Sequence, residues 1–176
     1  PHEVMSDCHM LFLGPPGTGK TTCGRRFAQM LKHLEILPSD RFEYTTAANL
    51  IGRYVGDTGN NTLDIMRKAK GGILFIDEAY GMIPRRGNWF GADIMQTLLD
   101  NVTTEEFKSK LIVILSGYEE HVEEIFTLNP GFQSRFDKQR INFPPWNGLQ
   151  AAKAVSNAIK NDGKIIAKEA EDAVLE

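Results

Sequence analysis

The sequence predicts an α/β protein built on a mainly parallel sheet. Three observations lead there. Short apolar runs with strand composition alternate with helical patterns between residues 9 and 143. Two inner runs, Gly72–Ile76 and Leu111–Leu115, are apolar throughout, as strands covered on both faces must be. The first run ends in a glycine-proline loop that leads directly into a helical pattern.

Taken in order, His9–Leu13 is the first strand. Gly19–Leu34 is the first helix, with Phe27, Met30, Leu31 and Leu34 at helical spacing. Phe42–Thr46 has strand composition. Thr62–Ala69 is helical, its apolar positions at Leu63, Ile65 and Met66. Gly72–Ile76 is a strand that stops at two acids. Ala92–Val102 is helical, with Ile94, Met95, Leu98 and Leu99 inward. Leu111–Leu115 is another strand, Glu119–Leu128 a helix and Arg140–Phe143 a last short strand. After Pro144-Pro145-Trp146 the texture changes to two Ala- and Lys-rich helical segments, Leu149–Lys160 and Ala167–Leu175. Residues 1–146 therefore read as one α/β domain. Residues 147–176 read as the start of a small helical domain, too short to bury a core alone.

Bulk properties exclude several classes. The 176 residues carry 20 Lys plus Arg against 23 Asp plus Glu, a net charge of −3, so no nucleic-acid or membrane surface rests on overall charge. No apolar run approaches transmembrane length, and the first residues lack the features of a secretory leader. Cys8 and Cys23 have neither metal-ligand nor disulfide-framework spacing and read as core or near-core thiols. A soluble, reducing, intracellular setting is expected.

The chemistry begins at Gly14-Pro15-Pro16-Gly17-Thr18-Gly19-Lys20-Thr21, followed by Thr22. It matches the phosphate-loop pattern in its required context, after a strand and at the start of a helix. Glycines let backbone N–H groups turn inward around an anion, and the helix points its positive end at the same place. Lys20 supplies charge for β and γ phosphates, and the Thr21 hydroxyl is a ligand for Mg²⁺. The second half is Gly72-Ile73-Leu74-Phe75-Ile76-Asp77-Glu78. There a buried strand emerges at Asp77, placed to orient Mg²⁺, and Glu78, placed to polarise a water. An acid pair can also simply begin a helix; behind a phosphate loop it points to ATP hydrolysis.

These motifs, with Phe-Ile-Asp-Glu-Ala-Tyr at 75–80, Val-Ile-Leu-Ser-Gly-Tyr at 113–118 and Asn-Pro-Gly-Phe-Gln-Ser-Arg-Phe at 129–136, resemble an AAA+ ATPase. The Asp-Glu-Ala-Tyr, Ser-Gly-Tyr and Asn-Pro-Gly elements resemble the branch of the red-type rubisco activases and the stage V sporulation protein K. The resemblance covers roughly residues 8–146. It implies a five-stranded parallel sheet in the order 5-1-4-3-2 flanked by helices, then a helical lid of which 147–176 is an incomplete part. It implies ATP and Mg²⁺ as cofactors, and it makes Arg135 an arginine finger for the site of a neighbouring copy, hence a homo-oligomer, by analogy a hexamer. As a plain surface arginine, Arg135 would instead pair with a carboxylate. Ser116 or Tyr118 stands where many relatives carry a sensing asparagine.

The same resemblance places the loop after the second strand at a central channel. Tyr54-Val55-Gly56 matches the aromatic–hydrophobic–glycine pattern of chain-threading motors. An aromatic ring grips an extended chain without reading its sequence; alternatively the ring packs on its own domain. A second loop, Gly81–Gly91, carries Pro84, Arg85, Arg86, Trp89 and Phe90. The expected function is ATP-driven remodelling of a protein substrate. A nucleotide-dependent scaffold that assembles without threading is the alternative. A small-molecule kinase accounts for neither Tyr54 nor Arg135.

Overall fold

The computed structural model describes residues 8–52, 54, 56–85 and 90–161. The chain divides into two compact units after Phe143; the sequence suggested the change of texture after Trp146.

In the first unit five parallel strands form one sheet in the order β2-β3-β4-β1-β5. They are β1 (Met10–Leu13), β2 (Phe42–Thr46), β3 (Ile73–Asp77), β4 (Ile112–Gly117) and β5 (Arg140–Asn142). Read from the other edge, this is the expected 5-1-4-3-2. The continuous apolar runs occupy the middle because their alternate residues serve two cores. Leu11, Leu13, Leu74, Ile76, Val113 and Leu115 point to one face, and Phe12, Ile73, Phe75, Ile112 and Ile114 to the other. β2 and β5 lie at the edges, and β5 is exposed along its length.

Helix α1 (Lys20–His33) covers the second face through Ala28 and Leu31. Its buried stripe is Lys20, Gly24, Ala28 and Leu31, whereas Met30 and Leu34 are exposed. The larger apolar side chains at helical spacing are thus partly off the packed face. Cys23 is exposed on this helix and not a near-core thiol.

The other face carries α2 (Ala47–Leu50), α3 (Thr58–Ala69), a 3₁₀ turn (Ala79–Met82), α4 (Phe90–Val102), α5 (Glu119–Leu128) and α6 (Pro130–Phe136). Ile94, Met95, Leu98 and Leu99 of α4 point inward as expected. Helix α6 starts at Asn129, whose side-chain oxygen accepts from Phe132 N–H at 3.2 Å, with Pro130 in the first turn.

The described part of the second unit is α7 (Gly148–Asn161). Asn147 and Gln150 cap it reciprocally: Gln150 N–H donates to the Asn147 side chain at 2.8 Å and Asn147 N–H to the Gln150 side chain at 3.0 Å. The helix expected at 167–175 lies outside the described residues.

Candidate nucleotide site and its surroundings

The loop after β1 is pinned where it leaves the strand. Gly14 N–H donates to Gly117 C=O of β4 at 3.0 Å, and Phe143 N–H donates to Leu13 C=O at 2.7 Å. Gly14 has φ +146°, and a Cβ there would lie 2.1 Å from the Phe143 carbonyl oxygen. Only glycine permits that approach. Gly17 and Gly19 take φ of +77° and +89°, which turn the backbone around a common centre. Gly19 is the N-cap of α1 and provides no side-chain acceptor for its first N–H groups, leaving them for an anion.

Lys20 crosses this loop. Its Nζ donates to Gly14 C=O and to Pro15 C=O, both at 2.7 Å, and only 9% of the residue is exposed. Burial pushes the Lys20 ammonium below the ordinary lysine range, and the negative charge of Asp77 offsets part of that. Thr18 Oγ1 donates to Pro15 C=O at 2.9 Å and tightens the turn. Thr21 is half-buried in the first turn of α1, Thr22 is exposed, and Pro15 and Pro16 form the outer arc.

β3 delivers the two acids. Asp77 Oδ1 accepts from Glu78 N–H at 3.0 Å, and Asp77 Oδ2 from the Tyr44 hydroxyl at 3.3 Å. Tyr44 reaches it because β2 and β3 are paired with Thr46 beside Asp77, which places Tyr44 two residues back on the same face. Burial first, then the Asp77 charge and hydrogen bond, raise the Tyr44 phenol above the usual range. Tyr44 was not singled out from the sequence; strand register is the signal that finds it. Glu78 is exposed and has φ +52°, ψ +45°, left-handed backbone that a non-glycine residue adopts at a cost of about 1–3 kcal/mol.

Between β1 and β3 runs β4. Ser116 lies opposite Phe12 and one residue beyond the Ile76–Leu115 pair, level with Asp77. Its side chain is fully buried, and its Oγ has no hydrogen-bond partner among the described residues. Tyr118, just past the strand, is partly exposed against His121.

These groups fit a nucleoside triphosphate with Mg²⁺. The cradle offers turned N–H groups, free helix N–H groups and a buried ammonium beside a carboxylate. Thr21 and Asp77 are hard oxygen donors of the kind Mg²⁺ takes.

Arg135 on α6 stands apart from this cluster. It is half-buried, and its Nη1 donates to Gly131 C=O at 3.1 Å. Its Nε has no partner, and among the described residues it forms no ion pair. Arg140, by contrast, pairs with Asp137, with Glu123 at 2.6 Å and with Glu119 at 3.7 Å.

Tyr54 is 75% exposed and not packed on its own domain. It lines an open groove of about 600 Å³ with Asn49, Asp57, Asn60, Asn61 and Asp64. Gly56 has φ +93°. Val55 lies outside the described residues, as do Arg86 and Trp89 of the second loop.

A parallel sheet in this order, with a phosphate loop after β1 and paired acids after β3, defines a P-loop nucleotide-binding fold. The model of the ATPase family associated with various cellular activities (AAA) matches residues 10–144, and the chain belongs to that family. Among curated proteins it is 36% identical to stage V sporulation protein K of Bacillus subtilis, covering 93% of this chain and 50% of that protein. It is 34% identical to protein CbbX of Cereibacter sphaeroides, covering 98% and 55%. It is 37% identical to the chloroplastic ribulose bisphosphate carboxylase/oxygenase activase of Cyanidioschyzon merolae, covering 78% and 46%. The chain thus spans about half the length of these relatives. Among solved structures the AAA domain of FIGL-1 in complex with ADP has the same fold, with a TM-score of 0.65 at 21% identity, over 98% of this chain and 57% of that one.

Proposed function

We propose that this chain is an ATP-hydrolysing module that assembles with copies of itself into a ring, as a hexamer, and remodels a protein by drawing a flexible segment through the ring. The observation that carries the hydrolytic part is that Lys20, in the loop after β1, lies within electrostatic reach of Asp77 at the end of β3, which Glu78 follows, on the C-terminal side of the sheet where open α/β sheets bind their ligands. The glycine loop holds the phosphates, and Lys20 places positive charge against them. Thr21 and Asp77 would hold Mg²⁺, which when bound neutralises phosphate charge. Glu78 takes the proton of the attacking water.

Assembly is supported by Arg135, a partly buried guanidinium with no carboxylate partner among the described residues. In a ring it would complete a neighbour's site. Tyr54, with Val55 and Gly56, would grip the protein segment, and the exposure of its ring suits that role. The names of two relatives, an activase and a sporulation protein, leave the substrate open. The setting is intracellular, and no helix among the described residues is long and apolar enough to cross a membrane.

The decisive experiment is Glu78→Gln. Titration with a fluorescent nucleotide should give the parental affinity for ATP, while phosphate release falls at least about 100-fold. Parental turnover in this variant would remove the catalytic assignment. Partner binding and release that persist with turnover blocked would replace threading with a nucleotide-dependent scaffold.

A further inference from the structure

The Asp77 carboxylate is fixed from two elements. Oδ1 accepts from Glu78 N–H at 3.0 Å, next to it in the chain, and Oδ2 accepts from the Tyr44 hydroxyl at 3.3 Å, on the neighbouring strand β2. One hydrogen bond leaves a carboxylate free to swing about that contact. Two, at opposite oxygens, set the plane of the group. An ionised carboxylate has about four lone-pair sites, so about two remain to face a metal ion or its water. Lys20 acts on Asp77 through charge, its Nζ bonds going to Gly14 C=O and Pro15 C=O.

The sheet decides where the Tyr44 hydroxyl falls. β2 and β3 run parallel with Tyr44 beside Phe75 and Thr46 beside Asp77, so the tyrosine stands on the face that carries Asp77, one pleat back along the strand. Its ring stacks on that of Phe75, with centroids 6.1 Å apart and planes 18° apart. Phe75 is fully buried and meets Phe42 at 5.5 Å and Phe12 at 6.0 Å, and Phe12 meets Phe143 at 5.0 Å. Phe143 also presents the carbonyl against which Gly14 is wedged. One aromatic row thus underlies both the phosphate loop and the acid. Stacking needs only a ring, which phenylalanine supplies as well. The bond to Asp77 is what the hydroxyl adds.

We infer that Tyr44 is a positioning residue of the metal site: from the edge strand its hydroxyl sets the plane of the Asp77 carboxylate, so that the remaining lone pairs meet Mg²⁺. The inference rests on the role proposed above for Asp77 in holding that ion. Groups that orient a metal's ligands typically matter about 10- to 100-fold in affinity. A bond of 3.3 Å, made from a half-exposed ring, is longer than the usual O–H···O bond of about 2.7–2.8 Å and belongs at the lower end of that range.

Tyr44→Phe in the full chain keeps the ring and removes only the hydroxyl. Mn²⁺, a paramagnetic ion that accepts the same oxygen ligands as Mg²⁺, is titrated into the chain together with a non-hydrolysable ATP analogue, and free Mn²⁺ is read by electron paramagnetic resonance. The expected result is an affinity for Mn²⁺ weakened about tenfold, with affinity for the analogue in EDTA within about twofold of the parent. In an Asp77→Ala background the same substitution should change Mn²⁺ affinity by less than about twofold, since no carboxylate is left to orient. Parental Mn²⁺ affinity in Tyr44→Phe, beside a loss in Asp77→Ala, overturns the inference and leaves the metal role of Asp77 standing. So does an equal loss from Tyr44→Phe in both backgrounds, or a matching loss of analogue affinity in EDTA, either of which marks a packing role. Parental Mn²⁺ affinity in Asp77→Ala alone overturns the metal role of Asp77, and this inference with it.

Discussion

The loop after β1 and the loop after α2 both carry glycines and both face away from the core, yet they are built on opposite plans. Residues 14–20 close on themselves: Gly14 is wedged against Phe143 and tied to Gly117, and Lys20 bonds two carbonyls of its own loop. Around Tyr54, Asp57 N–H reaches Tyr54 C=O at 3.1 Å and Gly52 N–H reaches the Thr58 side chain at 3.2 Å, and the ring is left outside. The phosphate loop and the two acids after β3 belong to one chain. The groups proposed to act on another body are the exposed ring of Tyr54 and the guanidinium of Arg135, whose Nε has no partner among the described residues. A closed loop suits a ligand of fixed shape, whereas an open one suits a partner whose shape varies.

That contrast can be broken by experiment. The largest effect is expected at Arg135. Arg135→Ala should cut turnover about 1,000-fold with ATP binding kept. Mixing it with Lys20→Ala subunits should restore part of the activity, because each variant retains what the other lacks. Failure of every mixing ratio to regain turnover would return Arg135 to its own chain. Gly14→Ala comes next. It drives a methyl into the Phe143 carbonyl and should cost about 3 kcal/mol in denaturant unfolding, with loss of nucleotide binding; a parental unfolding midpoint would mean the loop is not closed as described.

Tyr54→Ala should leave the unfolding free energy within about 0.5 kcal/mol, as expected of an exposed side chain. It should remove the remodelling of a client protein once one is found, and persistence of remodelling would make the ring a bystander. The smallest effect belongs to Arg140, the internally neutralised counterpart of Arg135. Its hydrogen bond holds the Asp137 carboxyl below the usual range. A depressed folded-state carboxyl contributes stability above its unfolded value, lost as pH falls through the folded one. Arg140→Ala should therefore cost about 0.5–1 kcal/mol at pH 7, and the gap from the parent should narrow below about pH 4.

Much of this was legible in the chain because it depends on local pattern. Strands apolar throughout, such as 73–76 and 112–115, have one stable home, the middle of a doubly covered sheet. The phosphate loop and the acids are likewise contiguous. What was missed depends on position in space. Helices α2 and α6 have 4 and 7 residues, too few to display a period. Tyr44 looks like an ordinary strand aromatic until register brings its hydroxyl to Asp77. In α1 the small residues Gly24 and Ala28 win the buried face because the helix lies close on the sheet, a fact the larger Met30 and Leu34 concealed.

The embrace of Lys20 by its own loop has a further consequence. Its ammonium exchanges part of its water for two carbonyl oxygens when the chain folds, before any nucleotide arrives. An incoming phosphate therefore exchanges with carbonyl oxygens already in place, and part of the cation's dehydration is a cost of folding. Nucleotide in turn relieves that standing imbalance, so it should act on this chain as a structural stabiliser as well as a fuel.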